Sequence, residues 1–219
     1  MKIINFADSN SVMNQFMAEL RDVNTQNDRA RFRRNLERIG EIMAYEISKT
    51  MNYSVKNIQT PLGVAPTYTP DNNIVLATIF RAGLPFHQGF LNVFDNAENG
   101  FVSAYRYYKD KECHDVGIHI EYIASPDLNG KTMIIVDPML ATGGSLELGY
   151  QAFLTKGTPA TVHLCCVIAS QKGVDYIEEH FKDSDVTLWC AAIDPELNDH
   201  LYIVPGLGDA GDLAYGGKL

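Results

Sequence analysis

The sequence predicts an α/β fold in which a mainly parallel β-sheet is flanked by helices. Two observations carry this prediction: short, continuous apolar runs recur between residues 74 and 193, and helical patterns lie between several of them. Strands that are apolar along their whole length are typical of a parallel sheet buried on both faces. The six runs are Ile74–Phe80, Phe101–Tyr105, Ile118–Ile123, Thr132–Val136, Val162–Ala169 and Val186–Ile193.

A long amphipathic helix is predicted before the sheet, from Arg29 to Lys49. Its apolar residues recur at spacings of three and four, which places them on one stripe of a helix. These residues are Phe32, Leu36, Ile39, Met43 and Ile47. One option is that this stripe packs against a second subunit. The segment from Thr60 to Pro70 contains proline and glycine and is predicted to be a loop.

Two helices are predicted between the later strands, over Leu146–Lys156 and Val174–Phe181. The first ends at Lys156-Gly157-Thr158-Pro159, where glycine serves as the C-cap and proline cannot continue the helix. No internal repeat, low-complexity tract or linker divides the chain. Residues 1–219 are therefore predicted to form a single domain, which is an ordinary size for one α/β core.

The composition argues against several classes of function. A net charge of −9 is unfavourable for a protein that binds nucleic acid, because neutralising phosphates requires a basic surface. The sequence shows neither an apolar run of bilayer length nor the apolar stretch of a signal peptide, so no membrane partner is expected and a cytoplasmic location is predicted. The four cysteines and six histidines lack metal-ligand spacing, which favours reduced thiols over a structural metal site.

One basic cluster departs from the acidic balance of the chain. It consists of Arg29, Arg31, Arg33, Arg34 and Arg38. We interpret it as a solvated helix face or a subunit contact, because runs of charge on a helix usually face solvent. The alternative is an anion-binding surface.

The stretch MIIVDPMLATGGS, residues 133–145, carries the clearest chemical signal. In a parallel sheet, ligands bind at the carboxyl ends of the strands, so the apolar run delivers Asp137 to that edge. Residues Thr142 to Ser145 then open the next helix, where backbone N–H groups, two hydroxyls and the helix dipole suit a phosphate. An acid before a phosphate-binding turn can hold sugar hydroxyls. The stretch therefore predicts a site for a ribose 5-phosphate.

Three stretches resemble the uracil phosphoribosyltransferases, which are type I phosphoribosyltransferases. The sequence VDPMLATGGS is similar to their motif for phosphoribosyl pyrophosphate (PRPP), with Pro138 in place of a second acid. FRAGL, residues 80–84, resembles their pyrophosphate loop, and YIVPGLGDAGD, residues 202–212, resembles their uracil-binding segment almost residue for residue. The resemblance implies the type I phosphoribosyltransferase fold, with a small hood formed largely by the C-terminal segment.

The implied reaction is uracil plus PRPP giving UMP and pyrophosphate, a step of pyrimidine salvage. Asp137 and Arg81 are the implied catalytic residues. Asp137 would hold the ribose hydroxyls and stabilise positive charge at the anomeric carbon, and Arg81 would clamp the pyrophosphate. The resemblance also implies a strained peptide bond after Arg81, with the cis form as one option. Mg²⁺ is the implied cofactor, carried by PRPP rather than by a site made of protein alone.

The resemblance assigns two sets of binding residues. For PRPP these are Arg81, Arg106, Asp137, Pro138, Met139, Leu140, Ala141, Thr142, Gly143, Gly144, Ser145 and Asp209. For uracil they are Ile203, Gly208, Asp209 and Ala210, of which Ile203, Gly208 and Ala210 would read the base through main-chain groups. Cytosine would then be rejected by an unpaired polar group. The general base is left open.

Two segments depart from the family pattern. Arg106 matches a second PRPP-binding arginine, but the polar stretch that follows, residues 107–117, lacks the usual motif, so its role as an arm over PRPP and any part for Lys109 or Lys111 stay open. At the C-terminus, Leu213 stands where relatives carry a basic residue and Tyr215 where they carry phenylalanine. This departure disfavours a contact between the tail and phosphate.

Two alternatives are kept. The first is a regulator that shares the fold and binds a nucleotide or RNA without turnover, for which the arginine cluster is the only support. The second is a phosphoribosyltransferase for another base, which the C-terminal segment disfavours. The family resemblance further implies a homodimer or higher homo-oligomer, and GTP as an effector for which the arginine cluster is a candidate site.

Overall fold

An eight-stranded sheet lies at the centre of the computed structural model, which describes residues 1–71, 73–108, 116–181 and 185–217, with backbone alone at 104–108 and 116–120. The strands are β1 (Lys2–Asn5), β2 (Tyr53–Thr60), β3 (Gly63–Pro70), β4 (Ile74–Ile79), β5 (Glu98–Tyr108), β6 (Val116–Ala124), β7 (Thr132–Val136), β8 (Met139–Leu140), β9 (Thr161–Ser170), β10 (Val186–Asp194), β11 (Glu196–Leu197) and β12 (Ile203–Val204). The helices are α1 (Met13–Arg21), α2 (Arg29–Ser48), α3 (Leu84–Leu91), α4 (Gly144–Leu154), α5 (Gln171–Phe181) and α6 (Ala210–Tyr215).

The central sheet has the strand order β1-β10-β9-β7-β4-β5-β6, and β8 pairs with β9. Its pairs are parallel, except for the antiparallel pair of β5 and β6 at one edge. This arrangement confirms the predicted α/β class with a mainly parallel sheet flanked by helices. Because β7 lies between β4 and β9, the turns that follow these three strands meet at one edge of the sheet.

Alternate residues of each central strand enter two separate apolar cores. On β7, Ile134 and Val136 pack on the side of α1, α2, α3 and α6, whereas Met133 and Ile135 pack on the side of α4 and α5. Successive side chains of a strand point to opposite faces, so a strand covered on both faces must be apolar throughout. This explains the continuous apolar runs in the sequence.

The long helix α2 forms where the apolar stripe predicted it. Asp28 caps its start by accepting hydrogen bonds from the backbone N–H groups of Ala30 and Arg31, both at 3.0 Å. All five stripe residues are buried inside this same chain. The option that the stripe packs against a second subunit is therefore wrong.

The prediction of a loop from Thr60 to Pro70 is also wrong. Strands β2 and β3 form an antiparallel hairpin that stands apart from the central sheet, with Thr60 paired to Gly63 across a two-residue turn. Proline cannot donate to a central ladder, but a two-stranded ribbon has free edges that tolerate Pro66 and Pro70. Proline and glycine predict a loop here because the sequence alone does not show that this strand lies outside the main sheet.

Some short helices and strands were not predicted from the sequence, and one predicted helix ends at a different residue. The strand β1 and the helix α3 were not predicted, since each is short and carries little periodicity. Helix α4 ends at Leu154 with Thr155 at its C-cap, and Gly157, at a φ of +131°, lies beyond that cap rather than on it. Cys165, Cys166 and Cys190 are buried free thiols, as predicted, whereas Cys113 lies outside the described residues.

No helix in the described ranges combines the length and the apolar character needed to cross a lipid bilayer.

We expect Gly89→Ala to destabilise the fold, because α2 and α3 cross at a glycine contact. A Cβ atom on Gly89 would lie 2.0 Å from the carbonyl oxygen of Glu37, a backbone atom that cannot move aside. The free energy of unfolding should fall by about 1–3 kcal/mol or more, as measured by denaturant titration. Gly63→Ala is the control, since nothing lies within 4 Å of its Cβ position. Equal losses in the two variants would contradict the contact.

Candidate active site

A cavity of about 420 Å³ opens at the carboxyl ends of the central strands. One wall is the turn after β7 together with the start of α4. The opposite wall comes from the segment around β12. The lining residues are Asp137, Met139, Leu140, Ala141, Thr142, Gly143, Ser145, Leu146, His200, Leu201, Tyr202 and Asp209. The cavity is thus built mainly from the two stretches that the sequence singled out, although they are more than 50 residues apart in the chain.

The turn after β7 is shaped by glycine at the start of α4. Gly143 is the N-cap of this helix with a φ of +86°, and it makes no side-chain capping bond. A Cβ atom at this position would lie 2.3 Å from Cδ1 of Tyr176, so only glycine fits. Because no side chain caps the helix, its first backbone N–H groups and its positive dipole end remain available to an anion in the cavity.

The same turn is anchored from beneath by the end of β9. The Ser170 hydroxyl donates to the carbonyl oxygen of Ala141 at 2.5 Å and accepts from the N–H of Gly173 at 2.9 Å. Gly173 packs so closely that a Cβ atom would lie 2.6 Å from the oxygen of Ala141. The backbone of the turn is therefore held in one conformation by a buried serine and by the first turn of α5.

Asp137 is a half-buried acid at the base of the cavity. Burial raises the pKa of its carboxyl group to about 7, because the charged form loses hydration, and a hydrogen bond from the N–H of Met139 partly opposes this rise. The group can thus be neutral or charged near neutral pH. A cationic centre beside it would stabilise the charged form.

The C-terminal segment approaches the cavity through an irregular backbone. The Val204–Pro205 bond is cis, and Gly206 and Gly208 have φ values of +63° and +90°. Asp209 follows as the N-cap of α6, accepting from the N–H of Asp212 at 2.9 Å, while it also lines the cavity. Asp209 therefore has a structural role in addition to any contact with a ligand.

Arg81 lies at the end of β4 but does not line the cavity. Its guanidinium donates to Oδ1 of Asp212 at 2.6 Å and to the carbonyl oxygen of Gly216 at 3.1 Å, while Nε is buried and has no partner in the part of the chain that the structure describes. The cis peptide bond is Phe80–Arg81, which precedes Arg81, so the expected position after Arg81 is wrong by one residue. Gly83 lets the loop pack against the ends of β4 and β7, since a Cβ atom there would lie 2.1 Å from Oγ1 of Thr78 and 3.1 Å from the carbonyl oxygen of Val136.

The structure brings together most of the PRPP set. Within it, Pro138 and Gly144 are buried in the turn without lining the cavity. In the uracil set, Ile203 and Ala210 are buried and Gly208 is exposed, and all three lie on the segment that forms the opposite wall. The side chain of Arg106 and residues 109–115, with Lys109 and Lys111, lie outside what the structure describes.

Sequence reasoning missed three residues that line the cavity outside the recognised stretches, Leu146, His200 and Leu201, and it assigned no ligand to Tyr202, the first residue of the C-terminal stretch. Leu201 has a φ of +63°, which is unusual for a residue with a side chain. A turn holds it there, in which the Asn198 side-chain oxygen accepts from the N–H groups of His200 and Tyr202 at 3.0 and 2.9 Å. The position of Leu146 directly after one recognised stretch, and of His200 and Leu201 directly before the other, was the available signal.

Most of the arginine cluster is paired within the chain. Arg31 bonds to Glu19 and Arg34 to Glu37, each through a close ion pair. The guanidinium of Arg31 and the amide of Asn35 hold the pKa of Glu19 well below its usual range. Arg33 donates to the carbonyl oxygen of Ala214 at 2.7 Å. These contacts favour the interpretation as a helix face over an anion-binding surface.

Comparisons with known proteins agree on one family. A family model described as "Uracil phosphoribosyltransferase" matches residues 7–217. A uracil phosphoribosyltransferase from Porphyromonas gingivalis is 60% identical over 219 residues, covering 100% of both chains. One from Pyrococcus furiosus is 38% identical over 217 residues, covering 98% of this chain and 90% of its own. The structure of AQ2163 protein from Aquifex aeolicus superposes with a TM-score of 0.85 at 33% identity, covering 99% of each chain.

We expect Asp137→Asn to stabilise the protein at high pH but not at low pH. With a folded-state pKa of about 7 against an ordinary value of 3.8, the folded protein keeps a proton that the unfolded chain has lost between these values. Stability of the unmodified protein therefore falls as pH rises through this window. Asparagine avoids that cost, so thermal unfolding at about pH 8 should show a gain on the order of 2 kcal/mol that disappears near pH 4. An equal gain at both pH values would contradict the burial of a charge.

Proposed function

This chain belongs to the uracil phosphoribosyltransferase family, and we propose that it transfers the phosphoribosyl group of PRPP to N1 of uracil, giving UMP and pyrophosphate. One observation carries the proposal. An acid and an uncapped helix N-terminus share one cavity with the Tyr202–Asp212 segment. This arrangement suits a sugar phosphate on one wall and a base on the other.

The 5′-phosphate of PRPP is assigned to the start of α4. Backbone N–H groups of the turn from Met139 to Ser145 and the hydroxyls of Thr142 and Ser145 would donate to its oxygens. Asp137 would accept from the ribose hydroxyls below. As the bond from the anomeric carbon to pyrophosphate breaks, the carboxylate would stabilise the positive charge that develops on the sugar. The carbon then bonds to N1 of uracil, and the N1 proton is released.

Arg81 is assigned to the pyrophosphate. Its buried Nε has no hydrogen-bond partner among the described residues, and a donor left without a partner is costly unless a ligand satisfies it. A pyrophosphate oxygen would supply that acceptor and a charge-assisted bond. The backbone of β5 and β6 forms a hairpin beside β4, and we assign Arg106 on β5 to PRPP as well.

The base is assigned to the C-terminal segment. Uracil offers two carbonyl acceptors and N–H donors, which main-chain groups at Ile203, Gly208 and Ala210 would complement. Asp209, at the N-cap of α6 and on the cavity wall, would serve both PRPP and the base. Cytosine places an amino group where uracil has a carbonyl oxygen, so a fixed backbone donor would be left unpaired.

The residues at the cavity fit Mg²⁺ that arrives with PRPP. The described part of the chain holds no group of three or more His, Cys, Asp or Glu side chains able to bind a metal ion. Asp137 and Asp209 nevertheless place two carboxylates on one cavity, and Mg²⁺ is typically bound by one or two carboxylates together with substrate phosphates. When bound, it supplies charge neutralisation to the leaving pyrophosphate.

A homo-oligomer is proposed through the hairpin of β2 and β3. This hairpin exposes the apolar side chains of Val55, Ile58, Leu62, Val64 and Tyr68, and contiguous exposed apolar side chains are typical of protein interaction sites. A cytoplasmic location and a GTP effector stay predictions, and the internal pairing of Arg31 and Arg34 disfavours the arginine cluster as the effector site. The regulator without turnover gains no support from the site.

The central test is UMP formation from labelled uracil, PRPP and Mg²⁺, with cytosine, hypoxanthine and orotate in parallel. We expect product from uracil alone. Asp137→Asn should lower kcat by about 100-fold or more, because it removes the charge beside the anomeric carbon. Use of another base would overturn the substrate assignment. If no base is consumed while PRPP still binds, the catalytic proposal fails and the regulator is favoured.

The assignment of Arg81 can be separated from its structural contact with α6. Arg81→Gln should raise the KM for PRPP by about tenfold or more, since it removes a charge-assisted bond to pyrophosphate. Asp212→Asn is the matched control, because it breaks the same ion pair from the other end and leaves the guanidinium in place. We expect an unchanged or lower KM for PRPP in this control. A similar rise in both variants would mean that Arg81 acts only by anchoring α6.

A further inference from the structure

The backbone N–H and carbonyl oxygen of Gly206 are both bound by charged residues that do not line the cavity. Its N–H donates to Oδ2 of Asp194 at 2.8 Å, and its carbonyl oxygen accepts from Nη1 of Arg21 at 3.0 Å. Arg21 and Asp194 are also joined to each other through two bonds of 2.7 and 2.8 Å. Arg21 ends α1 and Asp194 ends β10, so a helix from early in the sequence and a strand from late in it both bind the backbone of this one residue.

The loop cannot fix this conformation by itself. Gly206 has a φ of +63°, and a Cβ atom there would lie 2.0 Å from the carbonyl oxygen of Ile203, so no side chain is available to position it. A third support comes from the turn after α1, where the Gln26 amide donates to the oxygens of Leu207 at 3.2 Å and Leu20 at 2.9 Å. The polar backbone groups of residues 206 and 207 are thus directed by α1, its following turn and β10.

The bonds among Arg21, Asp194 and the backbone of Gly206 hold all three residues in one arrangement. Asp194 is buried, and burial alone would raise the pKa of its carboxyl group, but the bonds from Arg21 and from the Gly206 N–H lower that pKa overall. The carboxylate is therefore charged at neutral pH with its acceptors filled. The fork of the Arg21 guanidinium bonds both carboxylate oxygens and still reaches the carbonyl oxygen of Gly206. Lysine cannot reproduce this geometry, because its ammonium is a point charge on a flexible stem.

We propose that Arg21 and Asp194 are positioning residues for the base: by fixing the Gly206 peptide they aim the main-chain groups of Gly208 and Ala210 at uracil. This inference rests on the proposed function. Recognition by main chain depends on the placement of the whole loop, and a displacement of about 1 Å can cost up to about 100-fold in rate. Neither residue belongs to the motifs that identify the family in this sequence.

The test compares Arg21→Lys with Arg31→Lys. Arg31 makes the same kind of forked bond to Glu19, at 2.6 and 2.8 Å, and joins α1 to α2 without contacting residues 203–210. Steady-state kinetics are measured with uracil and PRPP varied in turn, together with thermal unfolding. We expect the KM for uracil to rise about tenfold or more in Arg21→Lys, with the KM for PRPP within about twofold of the unmodified protein. We also expect the preference for uracil over cytosine to fall.

If Arg21 had a purely structural role, both lysine variants would unfold at a lower temperature and the KM for uracil would be unchanged in both. That result overturns the inference, as does an equal rise in both KM values. Gln26→Ala provides a second variant that keeps the ion pair, and a smaller rise in the uracil KM alone is expected from it. If Arg21→Lys fails to fold, an unchanged uracil KM in Gln26→Ala overturns the inference.

The two proposals fail in different ways. Absence of UMP formation by the unmodified protein overturns the proposed function, and this inference with it. Normal turnover by the unmodified protein, with a uracil KM that Arg21→Lys leaves unchanged, overturns the positioning role alone.

Discussion

The side-by-side parallel pairing of β4, β7, β9 and β10 decides where every part of the site can lie. Parallel strands bring their carboxyl ends to one edge, so the turns after these four strands are neighbours although they are far apart in sequence. Ser170 ends β9 and Asp194 ends β10, and the two residues are register partners across these strands. Ser170 holds the backbone of the turn after β7, and Asp194 holds the loop at Gly206. Because these two residues are paired on adjacent strands, the sheet fixes the position of one cavity wall relative to the other.

The site concentrates features that lower stability, and the two apolar cores offset them. Asp137 is an acid whose burial disfavours its charge, Arg81 buries a donor without a partner, and Leu201 adopts a positive φ. Each of these would be unfavourable in an ordinary surface turn. Asp137 and Leu201 line the cavity and Arg81 follows β4 at the carboxyl edge of the sheet, while the sheet itself is buried by apolar residues on both faces. Because the sheet is rigid, it can hold these residues in conformations that are unfavourable for the protein alone but suited to binding a charged ligand.

Sequence reasoning recovered the features that have a local cause. The apolar runs predicted the central strands because both faces of the sheet are covered, and the spacing of apolar residues predicted α2. The turn after Asp137 was recognisable because its chemistry is contiguous. The hairpin of β2 and β3 was missed since its prolines lie in a ribbon rather than a central strand. The Arg21–Asp194 contact spans 173 positions, and no local pattern marks either residue. The single-domain prediction and the assignment of each site residue to its ligand stay predictions.

The contact of Arg21 with the Gly206 carbonyl oxygen links positions 185 residues apart and has a consequence for biosynthesis. A chain emerges from the ribosome from its N-terminus, so α1 is made long before the loop and β10 with which it will pair. During that interval the Arg21 guanidinium has neither Asp194 nor Gly206 as a partner. The cavity wall that contains Gly206 can form only after residues as far along as Asp194 and Gly206 have been synthesised, so it acquires its final structure well after α1 has been made.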